Sequence, residues 1–252
     1  MKKAFSTLAC MNIETAAMIN ACKQYGIDGV ELRLTREEGV PGYESGTEAQ
    51  LTERLMSNGI VITDLASGLS FSGYNPELLP KFRSTIDLAA SMGVKAVRFF
   101  LGRFLPDPSG GHPAGNYDDI LRSLREISVY AGQRQVEIWL EAHQGVGAGQ
   151  GMRKLLEAVD SPWVWCIWDV MHFLEDGESV DETWNAIGPY VKHVHLKDGY
   201  AKSPEPQSVY HYTLLGQGTV PLGQILALLR EHDYSGYVSL EWERPWKKES
   251  AP

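Results

Sequence analysis

Four short runs decide how this chain is read: VEIWLE at 136–141, WVWCIWD at 163–169, VKHVHL at 191–196 and YVSLE at 237–241. Each is rich in β-branched or aromatic residues, has strand length, and lies between turn or helix signals. Each carries an ionisable group at or near its C-terminal end: Glu141, Asp169, His195 and Glu241. In a closed parallel barrel the strand C-termini converge on one face, where catalytic groups are found. Four ligand-type side chains arriving at that face read as one metal site assembled from distant parts of the chain.

Working outward, the rest of the sequence repeats the same alternation. Strands are expected near 4–9, 27–33, 60–66, 94–101, 136–141, 163–169, 191–197 and 236–241. Helices are expected near 13–25, 47–58, 76–92, 117–132, 149–159, 180–188 and 221–232. Start signals stand at Asn12, Thr47 and Asn75-Pro76. Stop signals stand at Gly26, Gly59 and Gly93. Eight strands alternating with seven helices in 252 residues predict a single α/β domain over 1–252, a (β/α)8 barrel. No G-x-G-x-x-G follows the first strand, so a dinucleotide fold lacks its marker.

Side-chain parity sharpens this reading. Val136, Ile138 and Leu140 alternate with Glu137, Trp139 and Glu141; Val194 and Leu196 alternate with His193, His195 and Lys197. One face suits packing under helices, while the other sends ionisable groups inward. Such groups are costly in a barrel interior unless paired or metal-bound. Glu31 and Arg98 are also inward, and a pair between them across the barrel is expected. His193 is expected to be structural, and WVWCIW to be core. Long Gly/Pro-rich loops at 102–116 and 199–220 follow the fourth and seventh strands and are candidates to cover a substrate. After the eighth strand only WERPWKKESAP remains, so a full closing C-terminal helix is not expected. Either a partner subunit covers that wall, as in a homo-oligomer, or the chain is truncated; self-association is the expectation.

Bulk properties exclude several classes. With 23 Lys and Arg against 32 Asp and Glu, the net charge is −9 and no basic cluster appears, which argues against nucleic acid. No run approaches the roughly 20 apolar residues of a membrane helix, and FSTLA suits a first strand better than a signal peptide. Cys10, Cys22 and Cys166 are too few and too scattered for a disulfide framework, so a reducing, cytoplasmic location is expected.

Two Glu, one Asp and one His suit a hard or borderline divalent ion. Mn²⁺ is the first expectation, with Mg²⁺, Co²⁺ or Zn²⁺ as alternatives. Such an ion leaves room for two adjacent substrate oxygens and acidifies the C–H beside a carbonyl. Carboxylates on either side of that carbon could serve as general base and general acid.

The fragments GIDGVELRL, WLEAH, WDVMH, VKHVHLKDG, LLGQGTVPL and GYVSLEWE occur in this order between Gly26 and Glu243. Together they resemble the sugar phosphate isomerase/epimerase family, a group of xylose isomerase-like TIM barrels. The resemblance covers nearly the whole chain. It implies a metal at Glu141, Asp169, His195 and Glu241, with Glu141 and Glu241 moving the proton. It also implies that His172, in D-x-x-H, contacts substrate hydroxyls. From position alone, His143, Lys197 and Trp139 are further candidates for substrate contact. Lys197 has an ion pair with Asp198 as its alternative, and Asp169 has a helix cap for 171–175. Glu243 is the substitute should Glu241 be misassigned.

The expected function is therefore isomerisation or epimerisation of a ketose or aldose, free or phosphorylated, through an enediolate. The alternative is a metal-dependent dehydratase of a cyclic polyol ketone or a dehydroshikimate-like acid. LLGQGTV is the candidate phosphate cradle.

Overall fold

The computed structural model describes residues 1–10, 13–34, 40, 48–103, 115–142, 148–202 and 210–242. Parallel strands close into a barrel, with β1 (Lys2–Ser6), β2 (Gly29–Arg33), β3 (Val61–Phe71), β4 (Ala96–Leu101), β5 (Glu137–Ala142), β6 (Val164–Asp169) and β7 (Val191–Leu196) following one another around it. The final strand, β10 (Tyr237–Leu240), fits between β7 and β1. The ring therefore closes without residues 243–252, and the expectation of an uncovered wall falls on residues outside those described.

Between the strands lie α1 (Thr15–Tyr25), α2 (Glu48–Met56), α3 (Leu79–Met92), α4 (Tyr117–Arg134), α5 (Ala148–Val159), α7 (Val180–Ile187) and α8 (Leu222–Glu231). Gly26 and Gly93 end α1 and α3 in left-handed backbone, at φ 59° and 69°, as the stop signals require. Asn75 does not open α3 directly; it caps a turn through Glu77 N–H, and the helix begins at Leu79. Asn12 and Thr47 lie outside the described residues.

Three elements lie outside the main expectation, the first of them the helix that the cap alternative for Asp169 offered. A short helix, α6 (Val170–Glu175), follows β6 at once. Within the stretch read as a loop, β8 (Asp198–Ala201) and β9 (Tyr210–Thr213) pair antiparallel. The residues joining them, 203–209, are outside the description.

The core splits in two as the parity argument demands. Val30, Val97, Phe99, Ile138, Leu140, Trp168 and Val194 pack outward against Leu51, Ile86, Ile120, Ile127, Leu155 and Ile225 of the helices. A separate small cluster of Ala96, Trp139 and Ile167, with Trp165 against it, plugs the barrel interior. Above that plug, toward the strand C-termini, the inward positions become ionisable.

Candidate metal and proton-transfer site

Glu141, Asp169, His195 and Glu241 converge, and all four are buried. His195 lies at the centre. Its Nε2 is 2.6 Å from Glu31 Oε2, and its Nδ1 is 3.3 Å from Glu141 Oε1, 3.3 Å from Glu241 Oε2 and 3.9 Å from Asp169 Oδ2. With Nε2–H donated to Glu31, the Nδ1 lone pair faces three carboxylates. That arrangement is repulsive unless a cation or a proton stands among them. One donor atom from each residue lies within 4.8 Å of the others. Donors about 2.1 Å from a shared ion would stand about 3.0–3.4 Å apart, so the set needs little adjustment. A carboxylate behind a ligating histidine is the usual partner for fixing its tautomer and orientation.

Formal charge points the same way. Glu31, Glu141, Asp169 and Glu241 face two cations, Arg98 and Lys197, all buried. With His195 neutral, as a metal ligand must be, and the His172–Glu175 pair cancelling, four negative charges against two positive leave −2, which one divalent ion neutralises. Asp64 stays out of this count. Burial, and then the Glu31 charge beside it, hold its carboxyl well above the ordinary range and therefore protonated. Glu31, His193 and His195 form a second possible donor group, but a second divalent ion would leave the interior at +2.

The cations are specifically placed. Arg98 Nε is 3.0 Å from Glu141 Oε2, and its Nη1 donates to the Ser67 carbonyl. The expected Arg98–Glu31 pair is thus replaced: Arg98 ends one layer higher, on Glu141, and Glu31 serves His195. Lys197 Nζ is 2.5 Å from Asp169 Oδ2 and 2.6 Å from Glu241 Oε2. Its side chain points into the barrel, so the surface pair with Asp198 does not form. Burial opposes ionisation of both glutamates, yet both are held well below the ordinary range. Arg98 does this for Glu141, and Lys197 followed by His195 does it for Glu241. Burial likewise opposes a proton on His195, but Glu241, Glu31 and Glu141 outweigh it and raise the group well above its ordinary value.

Asp169 serves two structures at once. Oδ1 accepts the N–H groups of Met171 and His172, capping α6, while Oδ2 faces Lys197. The cap and the site were alternatives in the sequence; one oxygen of the carboxylate makes the cap, which leaves the other facing the candidate site. One turn on, His172 Nε2 is 3.6 Å from Asp169 Oδ2, and its Nδ1 is 3.1 Å from Glu175 Oε2. Burial and Lys197 disfavour the His172 cation, but Asp169 and Glu175 prevail and raise its pKa to about 9.

The other candidates fall elsewhere. Trp139 lies below Glu141 on the same strand, stacked on His193 at 5.5 Å, with its indole N–H donated to Glu137. It forms the floor of the site. His193 is fully buried and pushed down to about 3, first by burial and then by His195, so it is neutral. His143 and Glu243 lie outside the described residues. The inward groups Asp64 and Glu175 were missed; an acid within VITDLAS was the available signal for the first.

Beside the site, Asp198 is buried under the β8–β9 hairpin. Its Oδ1 accepts the N–H groups of Gly199 and Val220, and its Oδ2 those of Gly216 and Gly218. The candidate phosphate cradle, LLGQGTV, therefore already holds an internal carboxylate. Gly218 allows this approach, since a Cβ there would collide with Asp198 Oδ1 and the Gly199 backbone.

A family model described as a xylose isomerase-like TIM barrel matches residues 19–252. The chain belongs to that family. Among curated relatives of this xylose isomerase-like barrel is an inosose dehydratase of Clostridium botulinum (strain Eklund 17B / Type B). It is 23% identical over 141 residues, covering 50% of this chain and 46% of that protein. The chain spans about half the length of the curated relatives it matches. Among solved structures, the IOLI protein with a binding zinc atom superposes with TM-score 0.78 at 21% identity, over 99% of this chain and 91% of the other. D-psicose 3-epimerase in the presence of D-fructose superposes with TM-score 0.75 at 17% identity, over 96% and 84%. At these identities the superpositions speak for the barrel alone. Among the described residues, no helix of this family member is long and apolar enough to cross a membrane.

Proposed function

We propose that this protein is a divalent-metal-dependent isomerase or epimerase of an unphosphorylated ketose or aldose, acting by proton transfer beside the carbonyl. The observation that carries this reading is the placement of Glu141 and Glu241. They sit on β5 and just beyond β10, both buried, each with an oxygen 3.3 Å from His195 Nδ1. Glu141, Asp169, His195 and Glu241 would hold the ion, which when bound supplies Lewis-acid polarisation of the substrate carbonyl. Of the alternatives, no particular element is favoured by the donor set beyond a preference for oxygen and imidazole ligands.

Both glutamates are ionised at rest, each beside its own cation, so each is prepared to accept a proton from carbon. One removes the α-proton, giving an enediolate. Return of a proton to the neighbouring carbon, with the hydroxyl proton passing from one oxygen to the other, exchanges aldose for ketose; if instead Glu141 takes the α-proton and the Lys197 ammonium passes one through Glu241 to the other face, the centre inverts, and proton exchange with solvent resets Glu141 and Lys197. Lys197, within reach of Glu241, balances the charge as that carboxylate gains and loses its proton. His172, beside Asp169, is set to hold substrate hydroxyls. The Asp198 carboxylate in the glycine-rich cradle supports a substrate without phosphate, because those amides are already used. A small carbohydrate in a reducing, cytoplasmic setting accords with the three free thiols.

A second reading, dehydration of a polyol ketone, is favoured by Lys197. Its ammonium stands 2.6 Å from the candidate base Glu241 and could protonate a departing β-hydroxyl after α-proton removal. The test is mass spectrometry of a substrate panel in D₂O with Mn²⁺ or Mg²⁺: ketoses, aldoses, their phosphates, inosose and dehydroshikimate. One deuterium gained at unchanged composition, absent in Glu141→Gln, supports the first reading. Loss of water moves the protein to the second. Turnover of phosphates alone would refute the argument from Asp198.

A further inference from the structure

Glu175 is used by none of the chemistry above, yet its carboxylate joins two parts of the site wall. It ends α6 and is buried. Oε2 faces His172 Nδ1 at 3.1 Å, and Oε1 accepts the Tyr210 N–H at 3.0 Å. Tyr210 opens β9, 35 residues away. Two donors from separate elements thus share one acid. An amide at this position could accept from only one of them, because its other end is itself a donor.

Both linked elements carry groups that face the site. On α6, His172 Nε2 lies 3.6 Å from Asp169 Oδ2. On β9, Tyr212 is 2% exposed, with its ring centre 6.0 Å from Lys197 Nζ. The hairpin is held at its β8 end by Asp198, whose bonds to Gly199, Gly216, Gly218 and Val220 fix it to the following segment. There is no slack at Gly199 either, where a Cβ would collide with the His211 carbonyl. Glu175 supplies the tie at β9. A sideways shift of β9 would move Tyr212 across Lys197, and a rotation of α6 would move His172 across Asp169.

We propose that Glu175 is a positioning residue, which sets the direction of the His172 ring and the seat of β9 together and so keeps the histidine in register with the Tyr212–Lys197 wall. The link itself needs no substrate; its use in substrate binding rests on the role given to His172 above. The test uses the full chain loaded with Zn²⁺, which is diamagnetic, as wild type, Glu175→Gln and Glu175→Asp. Ring resonances of ¹⁵N-histidine, assigned with His172→Gln, report the histidine. Amide hydrogen exchange across 210–213 reports the hairpin. Both should move in both variants: a shifted His172 ring nitrogen, and exchange at Tyr210 at least tenfold faster, with β5 and β6 unchanged. If either readout stays at its wild-type value in both variants, the proposal fails. If both move while His172→Gln turns over a panel sugar with unaltered KM, the link stands and the substrate role of His172 falls.

Discussion

Replacing Glu31 by glutamine tests the metal reading without touching a proposed ligand. Glu31 Oε2 is 2.6 Å from His195 Nε2, and both side chains are fully buried. The acid has two effects on the imidazole: it keeps the proton on Nε2, and its charge makes Nδ1 a stronger donor. Loss of such a partner behind a metal ligand typically costs about 10–100-fold in metal affinity, or about 1.4–2.7 kcal/mol. Glutamine preserves shape, and its carbonyl can still accept the Nε2–H, so orientation survives and only the charge is lost. Glu31→Gln should therefore fall near the lower end, about tenfold weaker. Glu31→Ala, which removes orientation as well, should approach a hundredfold. Competition against a fluorescent chelator, with Mn²⁺ and with Zn²⁺, measures both. An affinity within twofold of wild type in Glu31→Ala, with circular dichroism unchanged, would refute the assignment of Glu31 as the group that orients His195.

Three further outcomes are expected. Because carboxylates hold a proton on His195 well above its ordinary range, a binding ion must expel that proton. Calorimetry at pH 7 in two buffers of different ionisation enthalpy should give about one proton released per ion, with affinity falling about tenfold per pH unit on acidification; no release would contradict the site. Asp64→Asn should stabilise the fold at neutral pH. The folded-state pKa of Asp64 is raised, so the folded protein binds a proton that the unfolded chain gives up above about 3.8, and its contribution worsens as pH rises. The melting temperature should rise about 2–4 °C at pH 7, corresponding to about 1 kcal/mol in a domain of this size, and hardly at all at pH 4. Asp198→Ser should lower the melting temperature by several degrees, as four N–H groups lose their acceptor. Inorganic phosphate should restore part of that loss in the variant and leave the wild type unaffected; no differential effect would argue against an anion cradle.

The barrel was legible because its evidence is local and repeated. Period-two runs alternate with helices that stop at Gly26 and Gly93, and each strand announces itself separately. The convergence of Glu141, Asp169, His195 and Glu241 was legible for a related reason: parallel topology brings strand ends together whatever the details. What failed was partnering. Parity placed Glu31 and Arg98 inside but could not say at which layer each would stop, and one layer decides between Glu31 and Glu141 for Arg98. Lys197 was read against its neighbour Asp198, although alternation sends the two side chains to different surroundings. The β8–β9 hairpin was hidden within a stretch whose glycines and prolines read as loop, and Glu175 matters only through a backbone amide 35 residues away. Neither leaves a pattern that a single sequence displays.

The divided carboxylate of Asp169 has a consequence for how this site can be observed. One oxygen caps α6 and the other faces the other candidate ligands, so a cation bound as proposed would link helix order to its own affinity through a single side chain. A cation that holds Asp169 in place also holds the first turn of α6, and a frayed turn weakens the cation in equal measure. The amides of Met171 and His172 would then act as a built-in occupancy gauge. Their protection should rise and fall with loading in any buffer, with no substrate known and no turnover to follow.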